Sequence, residues 1–133
     1  MMNLLGAAAA VAAFLSVWFG HVAVRRIEFV SRTIWIPAAV FAALGLIVEF
    51  ISVSTLNRFL STALGIFGMT LLFDAFEFTR QQKRVKKGHA PANPANPRHA
   101  KILAQHSCAT TLDLLKRDPA GRPLSAGSAS THL

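Results

Sequence analysis

Four of the six carboxylates in this 133-residue chain, and one of its five histidines, lie in or beside apolar sequence. Ionisable groups are costly there and are candidates for function by default. They are His21, Glu28, Glu49, Asp74 and Glu77. Asp74, Glu77 and Gln81 fall at i, i+3 and i+7 and so share one face of a helix. A histidine grouped with His21's neighbours in kind, Glu28, Asp74 and Glu77, can relay a proton, hold a small ligand or bind a metal. No HxxxH or ExxH spacing is present, so the metal reading is weak and no metal is expected. The bland alternative is an interfacial network of hydrogen bonds and ion pairs that fixes helix ends. Glu49 stands apart, about 6 Å inside the end of an apolar run. It pairs with Arg58 across a short turn or snorkels to the interface, or else it acts as a protonatable coupling residue.

Other chemistry is poorly supported. There is no glycine-rich phosphate loop, no cysteine cluster and no Ser/His/Asp set with defined spacing. His21 is the only histidine in an apolar run, so one chain would supply half of a bis-His haem site. The single Cys108 excludes an internal disulfide and suits a reducing compartment. The expectation is a non-enzymatic protein with no catalytic residues and no cofactor.

The elements that must position these groups are long and apolar. Hydrophobic residues make up 53% of the chain and charged residues 15%, against about 25% charged in an ordinary soluble domain. Three stretches, residues 4–24, 34–53 and 59–78, reach the roughly 20 residues that cross a bilayer as a helix. None shows the polar face of a soluble bundle helix. The N-terminal run is preceded by no charged side chain and followed by Arg25 and Arg26, the reverse of a cleaved signal peptide. Lys and Arg accumulate on the cytoplasmic side of membranes. An outward N-terminus puts thirteen of them inside and only Arg58 outside, so N-out/C-in is expected. The fold class is therefore an all-α membrane protein, with a three-helix transmembrane domain over 1–88 and a basic, mostly disordered cytoplasmic tail over 89–133.

Small residues four apart allow close helix packing in lipid. Gly6/Ala10, Ala9/Ala13, Ala38/Ala42, Ala39/Ala43 and Ser61/Gly65 have that spacing, with Gly68 near the last pair. Trp35, and in part Trp18, suit interfacial anchoring. Gly88 is expected to end the third helix's extension. Pro91, Pro94 and Pro97 recur in a polyproline II pattern, residues 100–117 have weak helical character, and 118–133 read as disordered. Arg80, Lys83, Arg84, Lys86 and Lys87 lie directly below the last span. Their expected role is orientation and contact with anionic lipid headgroups. Nucleic acid is not an expected partner, because no aromatic interleaving or recognisable module accompanies the charge.

The run Glu77-Phe-Thr-Arg-Gln-Gln-Lys-Arg-Val-Lys-Lys-Gly88, with Pro91 and Asn93-Pro94 after it, resembles the signature of an uncharacterised family of small bacterial multi-span membrane proteins, classed as a domain of unknown function. His21, Glu28, Ile34-Trp35 and Leu64–Gly68 match other parts of that pattern, and the resemblance spans about Asn3–Pro97. Val22 stands where the family has Pro, and His89-Ala90 where it has an aromatic pair. The resemblance implies the same architecture, a bacterial inner-membrane location, and attention to His21, Glu28 and Glu77. It implies no activity, substrate or cofactor.

These readings lead to an accessory or scaffolding component, acting as a homo-oligomer or with a larger membrane partner. The alternative is a component of a small proton-coupled transporter or channel. They also predict that His21, Glu28 and Glu77 converge, and that residues beyond Pro97 are dispensable for stability. Topology is testable by cysteine labelling on intact cells with an impermeant reagent. Asn57→Cys should react and Ser125→Cys should not; the opposite pattern overturns the N-out/C-in reading.

Overall fold

The computed structural model describes residues 4–113, and the reading of 118–133 as disordered lies outside the described residues. Four helices make up the described chain, with no strand among those residues: α1 (Leu4–Val30), α2 (Trp35–Ser54), α3 (Arg58–Lys86) and α4 (Pro97–Gln105). The first three are each long and apolar enough to cross a membrane. At 1.5 Å per residue, α1 and α3 run about 40 Å or more, well beyond a hydrocarbon layer of roughly 30 Å. Their surplus turns carry Arg25, Arg26 and Glu28 on α1 and Arg80 to Lys86 on α3. Arg25, Arg26 and Glu28 therefore belong to a helix that continues past the expected end of the first span at residue 24. We call this pole the basic end.

Helix boundaries follow local chemistry. Asn57 caps α3 by accepting from the N–H groups of Phe59 and Leu60. Pro37 stands in the first turn of α2, where its missing N–H leaves no intrahelical bond unmade. The α2–α3 turn is closed by reciprocal bonds: Ser52 Oγ donates to Ser61 O at 2.8 Å, and Ser61 Oγ to Ser52 O at 2.9 Å. At the other end of α3, Gly88 adopts φ of 74°, and the N–H groups of Gly88 and His89 reach the carbonyls of Val85 and Arg84. That is a Schellman termination, which glycine alone enters without strain. A side chain at Gly88 would also collide with the Cys108 carbonyl.

The central element is α3. Its buried positions Gly68, Leu71, Asp74, Phe78, Gln81 and Val85 recur at three or four residues and form one stripe. On α1, Ser16, Gly20, Val24 and Glu28 are buried at four-residue intervals. Small residues set the approach distances, as expected where dispersion contacts drive helix association. A Cβ at Gly45 would lie 2.8 Å from the Leu72 side chain and 3.0 Å from Gly68 O, so α2 meets α3 at backbone distance there. Towards the basic end, Val24, Ile34 and Phe78 form an apolar knot, with Phe41 meeting Phe78 edge-on at 5.2 Å.

The segment after Gly88 departs from the expected disorder. Ala90, Ala92 and Ile102 are buried with Val85 in a second apolar cluster, with Leu103 and Ala109 against it. Ala92 N–H donates to Thr110 O at 2.8 Å, pinning residues 90–92 beside 108–110. The Pro-Ala-Asn repeat forms a turn and a helix start in place of a polyproline run: Asn96 caps α4 through the Arg98 N–H, and Pro97 takes the first helical position. Between 98 and 113 the expectation of dispensability therefore gives way, because Ile102 buries apolar surface shared with α3. Ile102→Ala should destabilise the detergent-solubilised protein by roughly 2–4 kcal/mol. Truncation after Pro97 should lower its melting temperature clearly. Unchanged melting of both variants would mean that α4 does not dock.

Candidate functional site

The polar residues at the basic end divide between two places. The first is built at the C-terminus of α1, whose last carbonyls have no intrahelical donors. Glu28 O accepts from Arg98 Nη2 at 2.6 Å. Phe29 O accepts from the side-chain amides of Asn93 and Asn96, both at 3.2 Å. Ser31 O accepts from Asn96 Nδ2 at 2.9 Å and Arg98 Nε at 3.2 Å. The cationic guanidinium also complements the negative end of the helix dipole.

The side chain of Glu28 completes this arrangement. It is 1% exposed, and its Oε1 receives Arg98 Nη1 at 2.9 Å and His99 Nε2 at 3.0 Å. His99 is wholly buried, and its Nδ1 accepts the Asn93 backbone N–H at 2.9 Å. Because Nδ1 is an acceptor, the proton that meets Glu28 sits on Nε2, which fixes the tautomer. The ring packs edge-on to Phe29 at 6.2 Å. Glu28 Oε1 receives two donors and both ring nitrogens of His99 are matched, which is the pattern of a structural lock.

The second place is a cavity of about 560 Å³ whose lining includes His21, Thr70, Asp74, Glu77, Arg80 and Lys83. His21, Asp74 and Glu77 thus face one space, whereas Glu28 belongs to the lock. The three-way convergence of His21, Glu28 and Glu77 is not observed. Glu77 turns towards Arg80 at 3.7 Å and Arg84 at 3.6 Å, both well exposed. Asp74 lies over Gly20, where an added Cβ would collide with its carboxylate. Its Oδ2 is buried without a hydrogen-bond partner among the described residues. Asp74 also borders a cleft of about 260 Å³ between α1 and α2, walled by Phe19, Phe41, Leu44 and Phe67.

Glu49 does not pair with Arg58. Its Oε1 is buried in the α2–α3 interface, 2.9 Å from where a Cβ on Gly68 would stand, and without a partner among the described residues. Of the basic run, Arg80 and Arg84 bend back to Glu77, Lys83 reaches the His21 cavity, and Lys87 is exposed. No group of three His, Cys, Asp or Glu residues among those described has the geometry to hold a metal ion.

Sequence reasoning missed Asn93, Asn96, Arg98 and His99 as partners of α1. A signal was present: Asn96-Pro97 is a cap followed by a first-turn proline, which starts a helix three residues before the weak apolar pattern. That start brings Arg98 and His99 onto the first turn of α4. Breaking a buried pair by removing one member costs about 3–5 kcal/mol, whereas exposed pairs contribute about 1 kcal/mol or less. Glu28→Ala should therefore destabilise the solubilised protein by several kcal/mol more than Glu77→Ala, measured by chemical or thermal unfolding. Equal losses would contradict the assignment of Glu28 as the lock.

No curated protein and no solved structure matches the chain. The family model described as domain of unknown function (DUF4491) matches residues 3–96, from the start of α1 through the Asn93–Asn96 turn. With well over half of its length matched, the chain belongs to that family.

Proposed function

We propose that this protein is a non-catalytic, multi-pass component of a bacterial inner membrane, acting as an accessory or scaffold through association with partner helices. The observation that carries this reading is the cleft between α1 and α2. Its walls are almost wholly apolar, and Asp74, with an unmatched carboxylate oxygen, stands at its edge. A buried polar atom without a partner is costly, so a donor side chain from a neighbouring helix gains both the contact and the match. Exposed small residues support the same reading. Ala39 and Ala43 lie on an outer face of α2, while Ala38 and Ala42 are half-buried.

Orientation is part of the proposal. With the basic end cytoplasmic, Arg80, Lys83, Arg84, Lys86 and Lys87 lie at headgroup level, where each contributes on the order of 1 kcal/mol with anionic lipid. The partners are then the bilayer, its anionic headgroups, and either further copies of this chain or a larger membrane protein, without nucleic acid.

A second reading has its own support. Asp74 borders both the His21 cavity and the cleft, and Glu49 has an unmatched oxygen between α2 and α3. Carboxylates so held suit proton coupling in a small oligomeric transporter or channel.

Purification from membranes in mild detergent separates the readings. The scaffold account expects the protein to elute with partner chains or as an oligomer. Asp74→Leu should release that assembly, and Asp74→Asn, which keeps a hydrogen-bonding group, should largely retain it. Coupling predicts that Asp74→Asn leaves assembly intact but abolishes proton flux in proteoliposomes. A wild-type monomer without companions would overturn the scaffold account.

A further inference from the structure

Two adjoining cavities at the basic end, of about 570 and 250 Å³, share Arg25, Gln81, Pro91 and Asp113 in their walls. The larger adds Arg26, and the smaller adds Arg84 and His89. The larger falls within the roughly 300–1,000 Å³ usual for small-ligand sites. Its charge balance is one-sided. Glu28 borders it, but Arg98 at 2.9 Å already neutralises that carboxylate. The walls also hold the carboxylate of Asp113 and the guanidinium groups of Arg25, Arg26 and Arg84, the last of which meets Glu77 at 3.6 Å as well.

Gln81 marks the pair of cavities as more than a charged surface. It is 4% exposed, yet its amide makes no hydrogen bond among the described residues and borders both spaces. Its amide is therefore an open donor for a ligand oxygen in these cavities. The wall is also amphiphilic. Val22 lies one helical turn before Arg25 and Arg26, on the side of α1 that continues into the apolar span. Basic pockets between membrane helices at this level suit phosphate-bearing headgroups, and guanidinium forks match phosphate oxygens in geometry.

We propose that these cavities form one site for a phosphate group, carried either by an anionic phospholipid or by a soluble phosphate ester. Arg25, Arg26 and Arg84 hold the phosphate oxygens, and the Gln81 amide donates to one of them. This site is separate from the contacts that Lys83, Lys86 and Lys87 make with the general membrane surface, and it does not depend on whether the protein assembles.

The full chain in neutral detergent provides the test, by native mass spectrometry with phosphatidylglycerol and with oleate as an anionic lipid lacking phosphate. Phosphatidylglycerol should bind more tightly than oleate. Arg25→Gln/Arg26→Gln, both at exposed positions, should weaken it about tenfold, the scale of a lost charge-assisted contact. Gln81→Leu, which leaves net charge unchanged, should also weaken it. Arg32→Gln/Lys101→Gln removes equal charge outside the cavities and should change affinity by less than about twofold. Thermal stabilisation by glycerol 3-phosphate and inorganic phosphate would assign the site to soluble esters; response to the phospholipid alone would assign it to a headgroup. Equal binding of oleate and phosphatidylglycerol, or equal weakening in the two double variants, overturns the proposal.

Discussion

The end of α1 imposes the constraint on which the basic end depends. A helix leaves its last carbonyls unmatched, and here a glutamate is withdrawn from solvent beside them. Both needs are met by residues some 64 to 71 positions later in the chain. Arg98 answers three acceptors at once, Glu28 Oε1, Glu28 O and Ser31 O, because its donors are fixed in a planar fork. His99 adds a further donor and Asn93 holds its ring. For that delivery the chain must reverse at Gly88 and start α4 at Pro97. The glycine turn, the asparagine caps and the apolar cluster around Val85 and Ile102 serve one geometric end: bringing Arg98 and His99 onto Glu28.

A different balance governs the middle of the bundle. Glycine and serine let α1 and α2 approach α3, and two carboxylates occupy the resulting contacts. Asp74 of α3 lies over Gly20 of α1, while Glu49 of α2 lies over Gly68 of α3. Each has a buried oxygen unmatched among the described residues, in contrast to Glu28 Oε1, which receives two donors. Low polarity makes saturation stabilising and its absence costly. The lock therefore reads as structure, and the unmatched carboxylates are where the proposals of association or proton coupling find their support.

Much of the fold was legible because apolar length is a strong signal. Three helices long enough to span were evident from composition, and Gly88 marked the end of α3 through its freedom to adopt positive φ. The helix ends were less legible: α1 continues through Arg25, Arg26 and Glu28 because its polar last turn is covered by a distant segment. No local feature of the sequence singles out His99, although it is wholly buried. Its partner lies 71 residues away. The repeated prolines suggested an extended run because proline removes donors, but asparagine before Pro97 supplies a cap and reverses that reading. Asp74 and Glu77 shared a face as their spacing required, and His21 joined them across the α1–α3 contact. Glu49 turned inward to Gly68, a choice set by where glycine leaves room and invisible in the distance to Arg58.

The central claim is that Glu28 and Arg98 act as one unit that fastens the segment after α3 to the end of α1. A double-mutant cycle measures that coupling directly, by unfolding the solubilised wild type, Glu28→Ala, Arg98→Ala and the double variant. Contact within a buried, hydrogen-bonded pair predicts strong non-additivity, with a coupling of about 1.5–3 kcal/mol and a double variant less damaged than the sum of the singles. Losses that add to within about 0.5 kcal/mol would contradict the account, because they would mean that the two residues do not meet.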